Sequence, residues 1–143
     1  MFIGEFSHTV DQKGRVSVPV KFRDQLAGGL VLTRGLDGCL WIYSLEEWQK
    51  IADQVANMPV TQKNARSFAR FILSGAMDMK TDRAGRINLP KYLVDYAGIK
   101  SKVIVAGMYN RLELWSEAKW NEFKQGMEAN SEEVAETLSE IGF

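Results

Sequence analysis

Arg15 and Arg86 each stand four residues after an aspartate, in two stretches that share one pattern: Asp11-Gln-Lys-Gly-Arg15-Val-Ser-Val-Pro19 and Asp82-Arg-Ala-Gly-Arg86-Ile-Asn-Leu-Pro90. A guanidinium grips phosphate oxygens bidentately or reads guanine edges in the major groove. Lys13 and Arg83 add a further cation to each stretch. Aspartate first and glycine fourth fit a type I turn followed by a glycine bulge. Asp11 and Asp82 then accept hydrogen bonds from their own turns, and Gly14 and Gly85 supply the positive φ. Each arginine is expected at a hairpin tip, oriented by its aspartate. One such turn would read as a hairpin tied together by its own Asp–Arg pair. Two of them, in a chain otherwise poor in reactive side chains, favour cations presented to a polyanion, and a two-stranded ribbon fits the major groove.

The elements that must hold these turns are themselves duplicated. Gly4 aligns with Gly75 and Asp24 with Asp95 at the same offset; after a one-residue shift, Leu40, Ile42, Ser44 and Trp48 face Leu112, Leu114, Ser116 and Trp120. The chain divides into repeat one (1–57), a helical connector (58–74), repeat two (75–126) and an acidic helical tail (127–143). Short β-branched and aromatic runs predict strands at Phe6–Val10, Val16–Val18, Leu30–Thr33 and Leu40–Tyr43, and at Met77–Thr81, Ile87–Leu89, Val103–Ala106 and Leu112–Trp115. Pro19 and Pro90 open helix-like segments at Val20–Leu26 and Lys91–Ala97. Ser44-Leu-Glu-Glu47 is a capping-box pattern whose counterpart, with Lys119 in third place, loses the reciprocal bond. Ala65, Phe68, Ala69 and Ile72 in the connector, and Val134, Leu138 and Ile141 in the tail, recur at helical spacing. The expected class is α+β, mainly β with helices. A half of about 50 residues is small for a core of its own, so the repeats are expected to share one core as a pseudo-two-fold single domain.

Composition narrows the function. The 143 residues are 45% hydrophobic and 25% charged, with 18 basic and 18 acidic residues, ordinary for a soluble domain. The tail holds five glutamates and no base, which leaves the rest of the chain five positive. That asymmetry accompanies polyanion binding, although two solvated surfaces of different sign would give it too. No apolar run approaches a membrane span, and the N-terminus lacks the basic start of a signal peptide; a cytosolic protein is expected. Cys39 is the single cysteine and His8 the single histidine, so a multi-cysteine metal site cannot form and no second histidine or cysteine is there to complete one. His8 and Cys39 read as core or edge residues, and the four tryptophans as packing anchors. Phosphate-loop and dinucleotide-binding glycine patterns are absent. No catalytic residue, metal or cofactor is indicated.

The opening Met-Phe-x-Gly-Glu, the doubled Asp-x-x-x-Arg, the Leu-Thr-Arg-Gly-Leu-Asp segment and the Arg-Leu-Glu-Leu-Trp segment together resemble the MraZ family of bacterial transcriptional regulators, over essentially the whole chain. The resemblance implies two SpoVT/AbrB-type swapped-hairpin modules. It also implies a cytoplasmic, nucleoid-associated protein that binds double-stranded DNA at short direct repeats in the promoter of the division and cell-wall gene cluster, as a ring-shaped homo-oligomer. The family's motif positions fall on Asp11 and Arg15 and on Asp82 and Arg86. Flanking residues differ, Gln12 and Lys13 against Arg83 and Ala84. A structural or protein-interaction module, or an antitoxin-like partner protein, are the other readings.

Overall fold

The computed structural model describes residues 1–143. Repeat one supplies strands β1 (Phe2–Thr9), β2 (Arg15–Ser17), β3 (Leu30–Arg34) and β4 (Leu40–Ser44), then helix α1 (Leu45–Ala56). Helix α2 (Lys63–Gly75) leads to β5 (Met77–Met79), β6 (Arg86–Asn88), helix α3 (Lys91–Ala97), β7 (Lys102–Tyr109), β8 (Leu112–Ser116) and helices α4 (Glu117–Ala129) and α5 (Ser131–Glu140). None of these helices is long and apolar enough to cross a membrane.

The strands interlock across the repeats. Six form one antiparallel sheet in the order β1-β7-β8-β4-β3-β5, and β2 pairs with β6 in a separate ribbon. The first strand of each repeat lies on the third strand of the other, and the two fourth strands meet in the middle. A pseudo-two-fold axis therefore passes through the pair Val16–Ile87 in the ribbon and the pair Trp41–Glu113 in the sheet. Alternation along the strands sorts the faces. Val16 and Ile87 of the ribbon and Leu40, Ile42, Leu112 and Leu114 of the sheet join one core of 18 buried residues. Phe22, fully buried, packs edge-on against Phe2 and Phe6 at 5.3 Å each. Sharing one core answers the size problem of the separate halves.

The outer face of the sheet is covered differently. Thr33 Oγ1 donates to Ile72 O (2.6 Å), fastening α2 over β3. Near the axis, Glu113 is buried, and its Oε2 accepts from Trp41 Nε1 (3.0 Å) and Arg111 Nη2 (2.9 Å) while Oε1 accepts from Trp115 Nε1 (3.1 Å). The Arg111 guanidinium lies 4.9 Å from the Trp41 ring centre. Cys39 packs with Ile104 and Trp115; burial, with Glu113 adding, pushes its thiol up to about 12. Trp115, Trp120 and Phe123 cluster beside it.

Several local expectations change. Strand β1 begins at Phe2 rather than Phe6, because Gly4 does not end it: Gly4 sits opposite Gly107, where any side chain would run into the Ile3 backbone. β5 stops at Met79, short of Thr81. Val20–Leu26 is two successive 3-10 turns, Val20–Phe22 and Asp24–Leu26, whereas Lys91–Ala97 is α-helical. The Ser44 hydroxyl accepts from Glu47 N, but the Glu47 carboxylate turns to Lys50 (2.9 Å), so the cap is one-way, as it is at Ser116.

Candidate nucleic-acid interface

Each motif turn closes on itself. Gly14 N donates to Asp11 O (3.0 Å) and Asp11 N to Arg15 O (2.9 Å); Gly85 N and Asp82 N repeat both bonds at 2.9 Å. The aspartate does the rest. Asp11 Oδ1 accepts from Lys13 N and Arg15 N, both at 2.9 Å, and Oδ2 accepts from Arg15 Nε at 2.8 Å. Asp82 makes the same three bonds to Ala84 N, Arg86 N and Arg86 Nε at 2.9, 2.9 and 2.8 Å. In each copy the arginine's own backbone amide is the main cause that holds the carboxyl below the usual carboxylate range, with the guanidinium adding to it. A depressed carboxyl keeps its stabilising charge at neutral pH and yields it only as pH falls through that lowered value. Both aspartates therefore keep the charge that caps their turns at neutral pH.

The strand that follows each turn does not form an ordinary hairpin with the strand before it. It crosses to its counterpart: Arg15 pairs with Asn88, Val16 with Ile87 and Ser17 with Arg86, and Val18 N and Leu89 N donate to Gly85 O (2.9 Å) and Gly14 O (2.8 Å). With Val16 and Ile87 buried, alternation turns Arg15, Ser17, Arg86 and Asn88 to the opposite, outward face. Arg15 and Arg86 lie diagonally across the axis, about 8 Å apart at Cα from strand geometry. Each Nε is held by its aspartate, so the partly exposed guanidinium is fixed while Nη1 and Nη2 have no partner in the chain. Lys13 and Arg83 are exposed but occupy different turn positions, third and second. The eight residues singled out in the sequence thus converge on one ribbon, in two turns alike in backbone and unlike in flanking charge.

One neighbour was not legible in the motif. Arg23 lies over Gly85, donates Nε to Val18 O (3.0 Å), and has Val94 as its counterpart in repeat two. A side chain at position 85 would collide with that guanidinium, while at Gly14 the nearest atoms, Asn88 Oδ1 and Leu89 O, stand 3.4 Å away. Both glycines hold positive φ, 79° and 77°. Gly14→Ala is expected to cost about 1–2 kcal/mol from backbone strain. Gly85→Ala adds the displacement of Arg23 and its hydrogen bond, about 1 kcal/mol more. Urea unfolding of the two variants checks the order, and equal losses would remove Arg23 from the turn. His8, half-buried on edge strand β1, has its pKa lowered by burial and then by the charge of Arg23; it has no second titratable partner that would make it a base.

A family model described as "MraZ protein, putative antitoxin-like" matches residues 1–71 and again residues 72–140. The chain is 45% identical over 138 residues to a protein of Natranaerobius thermophilus named Transcriptional regulator MraZ, covering 96% of each. It is 42% identical over 142 residues to a protein of that name from Halothermothrix orenii, covering 99% of each. A third, from Ligilactobacillus salivarius, is 46% identical over 138 residues and 96% of each chain.

Proposed function

Because the chain belongs to the MraZ family, we propose that it is a sequence-specific DNA-binding transcriptional regulator whose contact surface is the β2–β6 ribbon. Arg15 and Arg86 contact DNA, Lys13 and Arg83 add phosphate contacts, Asp11 and Asp82 aim the arginines, and Gly14 and Gly85 permit the turns. The observation that carries this is the matched pair of guanidinium groups, each fixed through Nε with its outer nitrogens unpaired, on one ribbon face. A ribbon of this width enters the major groove, where arginine reads guanine.

The proposal extends to organisation and target. Residues 1–57 and 75–126 are two AbrB-like modules joined by 58–74, with 127–143 as an acidic appendage. One ribbon offers few phosphate contacts, so several copies in a ring would bind tandem promoter repeats with avidity. Apolar Met108, Phe123 and Met127, exposed beside α4 and α5, support contacts between copies. The target is the promoter of the division and cell-wall gene cluster, and the site of action is the cytoplasmic nucleoid.

A mobility-shift assay on the DNA upstream of its own gene tests the reading. With about four phosphate contacts per subunit, raising salt from roughly 50 to 200 mM should weaken binding by about a hundredfold. Retention that ignores salt, or equal retention of unrelated DNA, would sink it.

A further inference from the structure

Arg15 and Arg86 taken alone are indifferent to direction, and Lys13 and Arg83 give each turn one flanking cation. Arg15 and Arg86 are related by the pseudo-two-fold axis and held by identical hydrogen bonds, so turning the protein by half a revolution on DNA would exchange them and change little. Something off the axis must tell the two ends apart. Arg23 is a cation next to one motif turn for which the other turn has no equivalent, because position 94 is valine.

Three observations place it. The guanidinium lies against Gly85, the residue just before Arg86, so it shares a surface with the repeat-two turn. Its single hydrogen bond uses Nε, toward Val18 O, where β2 leaves the ribbon. It enters no ion pair: the chain's salt bridges involve Arg15, Lys50, Arg86, Lys91, Arg111 and Lys124. Arg23 is half-exposed, and its positive charge also suppresses protonation of His8. A half-exposed arginine with two donor groups to spare and no carboxylate is matched by a phosphate oxygen.

We propose that Arg23 is a further DNA-phosphate contact, present at the Gly85 end of the ribbon only, and that it fixes the direction in which each subunit lies on its site. The inference rests on the DNA-binding reading above. Arg15 and Arg86 supply the symmetric grip, and Arg23 adds one charge to one side. A directional grip lets successive copies in an assembly approach their sites in the same sense.

The test uses the full chain as Arg23→Met, which keeps an apolar stem over Gly85 and removes the charge. Affinity is measured across a salt series, and the plot of log affinity against log salt should become shallower by about one. Direction is read with a cleavage reagent on Gln12→Cys, an exposed position; buried Cys39 with its raised pKa stays unlabelled. The protein with Arg23 intact should cut mainly one flank of a single asymmetric site, and the Arg23→Met protein both flanks. A wild-type salt slope in Arg23→Met overturns the contact, and one-sided cleavage without Arg23 overturns the directional role. Should Arg23→Met fail to fold, Arg23→Gln decides: its amide can keep the hydrogen bond to Val18 O without the charge, so a slope shallower by about one supports the proposal and a wild-type slope overturns it. Failure of the underlying reading looks different, since the unsubstituted protein would then show no salt-sensitive DNA binding at all.

Discussion

Alanine at both Arg15 and Arg86 is expected to abolish specific DNA retention while the protein stays folded. The fold survives because the turn does not hang on the guanidinium. Asp11 Oδ1 and Asp82 Oδ1 hold backbone amides, which alanine retains. What is lost is one partly exposed ion pair per turn, which contributes at most about 1 kcal/mol to stability. Binding suffers far more. Each arginine contact to DNA is worth about 1–3 kcal/mol, so the pair accounts for a loss between roughly thirtyfold and twenty-thousandfold per subunit. The uncovered aspartates make it worse, since two carboxylates held ionised would then face phosphates. Circular dichroism with a mobility shift at one salt concentration separates the effects; a folded double variant that binds within threefold of wild type would remove the ribbon from the interface.

The largest effect on stability is expected at the opposite pole of the axis. Glu113→Ala should destabilise the protein by about 3–5 kcal/mol, the cost of removing one partner from a buried charged pair. Its carboxylate accepts from Trp41, Arg111 and Trp115 together. Without it, two indole N–H groups and a guanidinium lose their acceptor. Against a typical total of about 5–15 kcal/mol, that loss is severe. Arg111→Ala should cost less, because the carboxylate keeps both indole donors. Glu113→Gln falls between wild type and Glu113→Ala, as it retains one oxygen acceptor. Urea midpoints of the three variants measure the ranking. A Glu113→Ala protein within 1 kcal/mol of wild type would contradict it, and folded Glu113→Ala should still bind DNA, because core and sheet separate it from the ribbon.

Much of this was legible in the residues. The glycine and aspartate spacing of the motif encodes a local turn, and the turn forms as the spacing demands, down to the amides that each aspartate caps. The duplication implied a shared core, and the strands of both repeats meet in one. What local pattern does not carry is partnership. Val16-Ser17-Val18 has the alternation of any short strand, and nothing near it says that it lies on Arg86–Asn88 instead of the strand before it. Glu113 in Leu-Glu-Leu reads as an outward, solvated strand residue; its burial comes from Trp41, 72 residues earlier. Arg23 lies outside the motif, and only the course of the chain past Gly85 sets it apart. The β-branched and aromatic run marks only Phe6–Val10, and the facing Gly107 is what allows β1 to run back through Gly4 to Phe2.

The ribbon also has a consequence in time. Val16 finds its place opposite Ile87, which is added to the growing chain 71 residues later. At roughly 5–20 residues per second, a ribosome needs about 4–14 s to cover that gap. Throughout it the first arginine turn is already made but has no strand to lie on, and the surface that would meet DNA does not exist. With the ribbon as the proposed contact surface, competence waits on the second copy of the motif, and a message broken off before that point yields a fragment that holds Arg15 without the Arg86–Asn88 strand it pairs with.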